Sequence, residues 1–114
     1  NKHSIMLVSE DNYSNAHGTP WVYQHQKIGS IVGMPVPGTM TSVNWETLQD
    51  PTMYFGIPVI GYRTRDGHYL ENSQLEPDFK VRNKPEELIQ GRDEQLEVAV
   101  RELLKQIDAD TDRW

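Results

Sequence analysis

The feature that most limits what this chain can fold into lies near its C-terminus. Leu96, Ala99, Val100, Leu103, Leu104 and Ile107 recur at i, i+3, i+4, i+7, i+8 and i+11, the spacing of a single apolar stripe along an α-helix. Asp93 and Glu94 stand at its start, where carboxylates suit the positive end of the helix dipole. A helix with one apolar face must lay that face on another element, and the rest of the sequence supplies strands. Ser4–Ser9 (Ser-Ile-Met-Leu-Val-Ser) is a continuous apolar run of strand length, as expected of a strand covered on both faces in a parallel sheet. Ser30–Met34 reads as a second short strand and Phe79–Val81 as a short last one. The expected class is therefore α/β, with a mostly parallel sheet, a hairpin and flanking helices.

Between the first two strands the spacing turns helical. Trp21, Val22 and Ile28, with Tyr23 and His25 nearby, give one semi-apolar face. Pro20 is expected near the start of that helix, where proline is tolerated, and Gly29 is expected to stop it. Pro35-Val36-Pro37-Gly38 suits neither a helix nor a central strand and reads as a rigid exposed loop. Thr39–Trp45 has β-branched residues spaced for a strand. Ile57–Tyr62 and His68–Glu71 flank Arg65-Asp66-Gly67, and an Asp-Gly between two strand-like runs predicts a hairpin. Pro58 puts the first arm of that hairpin at an edge.

Composition narrows the function classes. The 114 residues form one domain's worth of chain, with 36% hydrophobic residues to build a single core. A net charge of -6, with the 11 basic residues scattered, argues against a nucleic-acid surface and leaves peptides, proteins or small solutes as partners. There is no cysteine, which excludes disulfides and thiolate metal sites. No apolar run approaches the ~20 residues needed to span a bilayer, and no His/Asp/Glu spacing suggests a metal site. The chain opens on Asn1-Lys2-His3 and enters a strand almost at once. It is therefore expected to be a piece of a longer protein, and the lack of a signal-peptide pattern carries little weight. The compartment is left open between periplasm and cytoplasm of a bacterium.

Ser14 sits in Glu10-Asp11-Asn12-Tyr13-Ser14-Asn15-Ala16-His17-Gly18, between the first strand and the first helix. A serine there projects from the strand end, and the unpaired N–H groups of the first helical turn face the same space. Those donors stabilise a developing oxyanion. The α/β-hydrolases use the same logic, although their Gly-x-Ser-x-Gly is absent. Serine is also a preferred N-cap residue, so position alone leaves a simple helix cap as the ordinary reading of Ser14.

The company of Ser14 changes that reading. Glu10-x-x-x-Ser14-Asn15-Ala16-x-Gly18 resembles the nucleophile segment of tricorn-like (C-terminal processing, tail-specific) serine peptidases. Lys27-Ile28-Gly29-Ser30-Ile31-Val32-Gly33-Met34-Pro35 is similar to the next strand of that family. Gly67-His68-Tyr69-Leu70-Glu71-Asn72, followed by Leu75-Glu76-Pro77-Asp78-Phe79-Lys80-Val81, resembles its Gly-x-x-Leu-Glu-Asn…Pro-Asp-x-x-Val stretch. The start of the last helix, Gly91–Glu97, completes a collinear match over nearly the whole chain. Four weak motifs in order make a strong one. The resemblance implies the crotonase- and Clp-like peptidase fold, with residues 1–114 as the C-terminal part of the catalytic domain.

It also implies roles for particular residues. In the tail-specific branch a lysine activates the serine, but Thr39 stands in that place here and cannot act as the base. The tricorn branch uses a histidine oriented by an acid, and by resemblance Glu71 is that acid. The family's histidine lies upstream of the serine, in a segment this chain does not contain. None of the four histidines present is taken as the base. His17 is only three residues past Ser14, a spacing that seldom aligns imidazole and hydroxyl, and His3, His25 and His68 read as surface residues. The Asn15 N–H is the oxyanion donor available locally, and Gly38 and Thr39 are expected in a wall of the substrate cleft. No cofactor is implied, and the partner is a peptide or protein substrate. The isolated chain is expected to be inactive for want of the base. Its uncovered strand edge is expected to favour a homo-oligomer or strand-exchanged dimer. The rival expectation is a non-catalytic, peptidase-like interaction module.

Overall fold

The computed structural model describes residues 2–111. In chain order these form β1 (Ile5–Val8), α1 (Asn15–His25), β2 (Ser30–Gly33), β3 (Thr41–Thr47), β4 (Tyr54–Gly61), β5 (Phe79–Lys80), α2 (Pro85–Ile89) and α3 (Glu94–Thr111). A parallel sheet has the order β1-β2-β5, with Ile5 opposite Ser30 and Val32 opposite Phe79. A separate antiparallel ribbon pairs β3 with β4. The expected α/β class, with its parallel sheet, hairpin and flanking helices, is what is found.

The apolar run of β1 stands at one end of this order and is only partly covered, with Val8 buried and Leu7 exposed, so it is the middle strand that is buried on both faces. Successive side chains of a strand point to opposite faces, and on β2 both faces are covered. Ile31 packs with Val8, Tyr23, Val36 and Leu75, the cluster under α1. Val32 packs with Val98 and Ala99 of α3, backed by Ile5 and Phe79. Ile31 and Val32 are both wholly buried. The Ile31 N–H donates to Asp78 Oδ2 at 2.7 Å, so the Pro-Asp before β5 closes the ladder of the central strand.

Several local expectations need correction. Pro20 lies inside α1, not at its start. A proline there leaves the carbonyl four residues back without its donor, at a usual cost of about 3 kcal/mol. The Asn12 side chain supplies the missing donor, with Nδ2 reaching Ala16 O at 3.0 Å. The buried face of α1 is His17, Gly18, Pro20 and Tyr23, while Val22 and Ile28 are exposed. Nor does Gly29 end the helix. Lys27 takes the left-handed conformation (φ 53°), with its N–H on Gln24 O and that of Ile28 on Tyr23 O, a Schellman closure. Gly29 serves close approach instead, since a Cβ there would lie 2.2 Å from Ser4 O.

The Pro35–Gly38 loop is not wholly exposed: Val36 is fully buried and exchanges backbone hydrogen bonds with Leu75. The Arg65-Asp66-Gly67 turn forms, with Thr64 N–H on His68 O at 2.8 Å, but its arms make only the isolated bridge Arg63–Tyr69. The longer hairpin joins β3 to β4 through residues 48–53, where the Asp50 carboxylate accepts from the Thr52 N–H and hydroxyl. An Asp-Pro turn signal stood there in the sequence. Pro58 falls opposite Val43, beside the irregularity in the ladder, which accommodates a residue with no N–H to give. Trp45, Tyr54 and Phe55 on this ribbon are 63%, 68% and 60% exposed.

The stripe of α3 is only partly covered. Of its residues Ala99 is buried, whereas Leu96, Val100 and Leu104 are about half exposed; Val98, which lies off the stripe, is buried beside Ala99. The face laid on the three-stranded sheet is turned from the stripe towards Val98, which packs with Ala99 on Val32. Asp93 stands just before α3 and caps it, its Oδ1 accepting from Leu96 N–H at 2.9 Å.

Candidate active site

The segment between β1 and α1 is held at both ends. Ser9 N–H and Oγ–H both donate to Asn12 Oδ1, at 3.3 and 3.1 Å, and Asn12 Nδ2 runs on to Ala16 O. The chain then reverses through Tyr13–Ala16, closed by Ala16 N–H on Tyr13 O at 2.9 Å. Ser14 occupies the second position of that turn with φ 54° and ψ −123°. These are the angles of a type II′ turn, which glycine ordinarily fills. A side chain held there costs of order 1–3 kcal/mol.

Ser14 is not the helix cap its sequence position suggested. It stands at the N-cap position of α1, yet its side chain makes no capping hydrogen bond. Its backbone N–H is engaged by Thr39 O at 2.7 Å. Its main-chain oxygen takes the N–H groups of His17 and Gly18, at 2.9 and 3.0 Å. With Ala16 N–H on Tyr13 O, the first-turn donor left without an acceptor among the described residues is the N–H of Asn15. The strained turn thus presents an unbonded hydroxyl beside an unbonded N–H at the positive end of a helix.

Glu71 reaches the same neighbourhood from the far side. Its Oε2 accepts from Met40 N–H at 2.6 Å and from Thr41 Oγ1–H at 2.7 Å. The Thr41 hydroxyl, and then the Met40 N–H, hold this carboxyl below its usual range. Both donors land on Oε2, and no hydrogen bond to Oε1 is formed among the described residues. Asn72 N–H on Gly38 O at 2.6 Å ties the glutamate loop to the loop that holds Ser14. At Gly38 a Cβ would meet the Ser73 backbone nitrogen at 2.3 Å, so only glycine lets the two loops touch. The structure therefore brings Ser14, Asn15, Gly38, Thr39 and Glu71 into one cluster.

The sequence reading passed over the depth of His17. The residue is fully buried and neither ring nitrogen has a partner among the described residues. Burial pushes its imidazole below the ordinary value, against the pull of Glu71 in the other direction. The signal for it was the run His17, Pro20, Tyr23, a face one step round the helix from the one expected. No nitrogen of His3, His17, His25 or His68 is hydrogen-bonded to Ser14 Oγ. Beside the turn lies an apolar cavity of about 500 Å³, lined among others by Asn15, Gly18, Met40, Tyr62, Arg63 and Leu70. Among the described residues no group of His, Asp and Glu is placed to hold a metal ion, and no helix is long and apolar enough to cross a membrane.

Residues 1–81 match the model of peptidase family S41. The chain belongs to that family. A protein of Sulfurisphaera tokodaii described as a putative tricorn-like protease C-terminal subunit is 25% identical over 107 residues, which cover 91% of this chain and 12% of that protein. A tricorn protease homolog of Saccharolobus solfataricus is 26% identical over 104 residues, covering 90% of this chain and 10% of that one. The chain thus spans about a tenth of the length of these relatives. Among solved structures, the tricorn protease superposes with a TM-score of 0.82 over 93% of this chain and 10% of its own, at 19% identity. Mature CPAF superposes with a TM-score of 0.59 over 67% of this chain and 15% of its own, at 22% identity. These likenesses establish a tricorn-like fold for an S41 peptidase segment.

Proposed function

We propose that the protein carrying this segment is a serine peptidase in which Ser14 is the nucleophile, Glu71 the orienting acid and the Asn15 N–H an oxyanion donor. The observation that carries this reading is the Ser14 turn: a serine held in a glycine conformation, its hydroxyl unbonded, beside a free helix-end N–H. A cap would spend its hydroxyl on the helix, and a structural turn would relax to glycine. Strain of this kind persists where the site needs a side chain at that place.

The chemistry follows from the groups. A general base takes the Ser14 Oγ proton as Oγ attacks the scissile carbonyl carbon, and the carbonyl π electrons move to oxygen. The Asn15 N–H and the positive end of α1 stabilise that oxyanion. Collapse expels the amine, which takes the proton from the base, and water then hydrolyses the Ser14 ester. The base is a histidine from outside these 114 residues, since no described histidine engages Ser14 and Thr39 stands where a lysine dyad would need its amine. The unengaged Glu71 Oε1 is the acceptor for that histidine's N–H. The cavity beside Asn15 receives an apolar side chain of the peptide, with Gly38 and Thr39 in the wall of the cleft. No cofactor takes part.

Self-association belongs to the same reading, the exposed apolar ribbon of β3 and β4 giving a second copy a surface. A monomeric mass at high concentration in light scattering would count against it. Peptide hydrolysis by the full-length protein tests the function: turnover should be lost in Ser14→Ala. The 114-residue chain alone should show no turnover, and Ser14-dependent turnover by it would overturn the assignment of the base.

A further inference from the structure

The cavity beside the Ser14 turn carries a charge that the mechanism above leaves unused. Its walls are mostly apolar, with Val22, Met40 and Leu70 among them, and its volume of about 500 Å³ is that of a ligand pocket. Asn15, Gly18, Thr19 and Val22 line it at i, i+3, i+4 and i+7, so it follows one face of α1 for about 10 Å from the oxyanion donor. Arg63 is the one charged residue in this lining, and no Asp or Glu joins it among the described residues. The sequence holds 17 acidic residues against 11 basic ones, and Arg82, Arg92 and Arg101 each meet a carboxylate. The Arg63 guanidinium has no ion-pair or hydrogen-bond partner among the described residues.

The backbone that carries Arg63 is fixed relative to the proposed site. Arg63 lies on the short hairpin whose second arm runs into Leu70 and Glu71. Arg63 bridges to Tyr69, Leu70 N–H donates to Tyr62 O at 3.0 Å, and Thr64 N–H donates to His68 O at 2.8 Å. The Tyr62 hydroxyl meets Ser42 Oγ at 2.8 Å, which ties this arm to β3. A guanidinium is a planar fork of donors that stays charged. A purely apolar ligand in the cavity would strip water from that fork and return no acceptor. A ligand that brings an apolar group and a carboxylate together satisfies both the walls and the charge, and the exclusion of water strengthens the pair.

We propose that Arg63 is a specificity-determining residue: the cavity takes an apolar side chain of the peptide, and Arg63 pairs with the side-chain carboxylate of an Asp or Glu close to it in the substrate sequence. The preferred substrates are then segments in which an acidic residue neighbours an apolar one. The inference rests on the peptidase reading of Ser14, and its test keeps the two separable.

The test uses the full-length protein and pairs of internally quenched peptides with blocked termini. Each peptide carries a single leucine, with glutamate one or two residues before or after it, and its twin carries glutamine there. The readout is the ratio of kcat/KM within a pair, because a change in folding or in the acylation chemistry scales both members alike. In the wild type the best glutamate peptide should exceed its twin about threefold to tenfold, and the ratio should shrink as salt rises. Arg63→Gln should bring the ratio down to about one, and Arg63→Glu should reverse it, with a lysine peptide now preferred. A wild-type ratio near one at every position, or a ratio that Arg63→Gln leaves intact, would overturn the proposal while Ser14-dependent turnover leaves the peptidase reading standing. The same peptides ending in a free carboxylate separate the two sources of charge, and dependence on Arg63 through the terminus alone would overturn the side-chain assignment. If no peptide is cut in a Ser14-dependent way, the peptidase reading falls and this inference with it.

Discussion

The two sides of the candidate site are built in opposite ways. At Ser14 the backbone is strained and tied down while the side chain is bare. Its N–H is bonded to Thr39 O, its φ is 54°, and its hydroxyl has no capping bond. At Glu71 the side chain itself is tied, with Oε2 holding two donors within 2.7 Å. A nucleophile must be delivered to a substrate, so its hydroxyl has to be unspent and the positional precision must come from backbone. An orienting acid must stay still and ionised, so its precision comes from hydrogen bonds to the charge. The contrast picks out the atoms of the proposed site that carry no hydrogen bond among the described residues: Ser14 Oγ, the Asn15 N–H and Glu71 Oε1.

The largest test of that contrast on the acid side is Glu71→Gln in the full-length protein. It removes the charge but keeps the shape, and kcat/KM should fall by roughly 10²–10⁴ with the fold retained. A loss smaller than about threefold would mean that Glu71 is a structural anchor for Met40 and Thr41 and nothing more.

On the nucleophile side the sharper test is stability. Ser14→Gly should relieve about 1–3 kcal/mol of turn strain. Against that, the extra freedom of glycine in the unfolded chain costs about 0.4–1 kcal/mol. A net gain of about 0.5–2 kcal/mol is expected in denaturant titrations, together with complete loss of turnover. Ser14→Ala keeps the Cβ and so the strain, and should show the loss without the gain. Equal stability of the two variants would mean that the turn stores no more strain than the freedom of glycine offsets, about 0.4–1 kcal/mol.

The smallest effect expected is on pH dependence. The Thr41 hydroxyl is the first cause of the lowered Glu71 pKa and the Met40 N–H the second. A carboxyl with a depressed folded value binds fewer protons folded than unfolded. Its contribution is therefore present above the ordinary glutamate range and is lost as pH falls towards the folded value. Thr41→Val should move the acid limb of the pH–rate profile upward by a fraction of a unit and leave the alkaline limb in place. An unmoved acid limb would separate that limb from Glu71. His17 has the same sign: burial holds its imidazole below the ordinary value, so its protonation opposes folding as pH falls below the ordinary imidazole range.

Much of this arrangement was legible in the sequence, and the reasons for the rest are physical. The apolar run of β1, the parallel pairing with β2 and the helix from Asp93 onward all follow from period and run length. Ser14 and Glu71 come from the order of four short motifs, and the Thr39–Met40 backbone links the two segments through Ser14 N–H and Glu71 Oε2. What failed was facing. The spacing gives the apolar stripe of α3, but of that stripe only Ala99 is buried, and the helix lies on the sheet through Val98 beside it, because facing is set by what the distant strands present. For α1, Pro20 reads as a start signal, although Asn12, eight residues earlier, satisfies the carbonyl that proline leaves open. The face expected from Trp21, Val22 and Ile28 lies beside the one that is buried, which begins a turn earlier at His17. The β3–β4 hairpin closes at Thr47–Tyr54 around Asp50-Pro51, a weaker turn signal than Asp66-Gly67. The facing of the two helices depends on distant partners and could not be read locally, whereas the Asp50-Pro51 turn is a local signal.

The central claim is that Ser14 is a nucleophile and not a helix cap. The most direct measurement is mass-spectrometric mapping of a fluorophosphonate adduct on the full-length protein. The account predicts a single adduct on the peptide carrying Ser14, absent in Ser14→Ala and slowed in Glu71→Gln. An adduct on another serine, or unchanged labelling in Ser14→Ala, would contradict it.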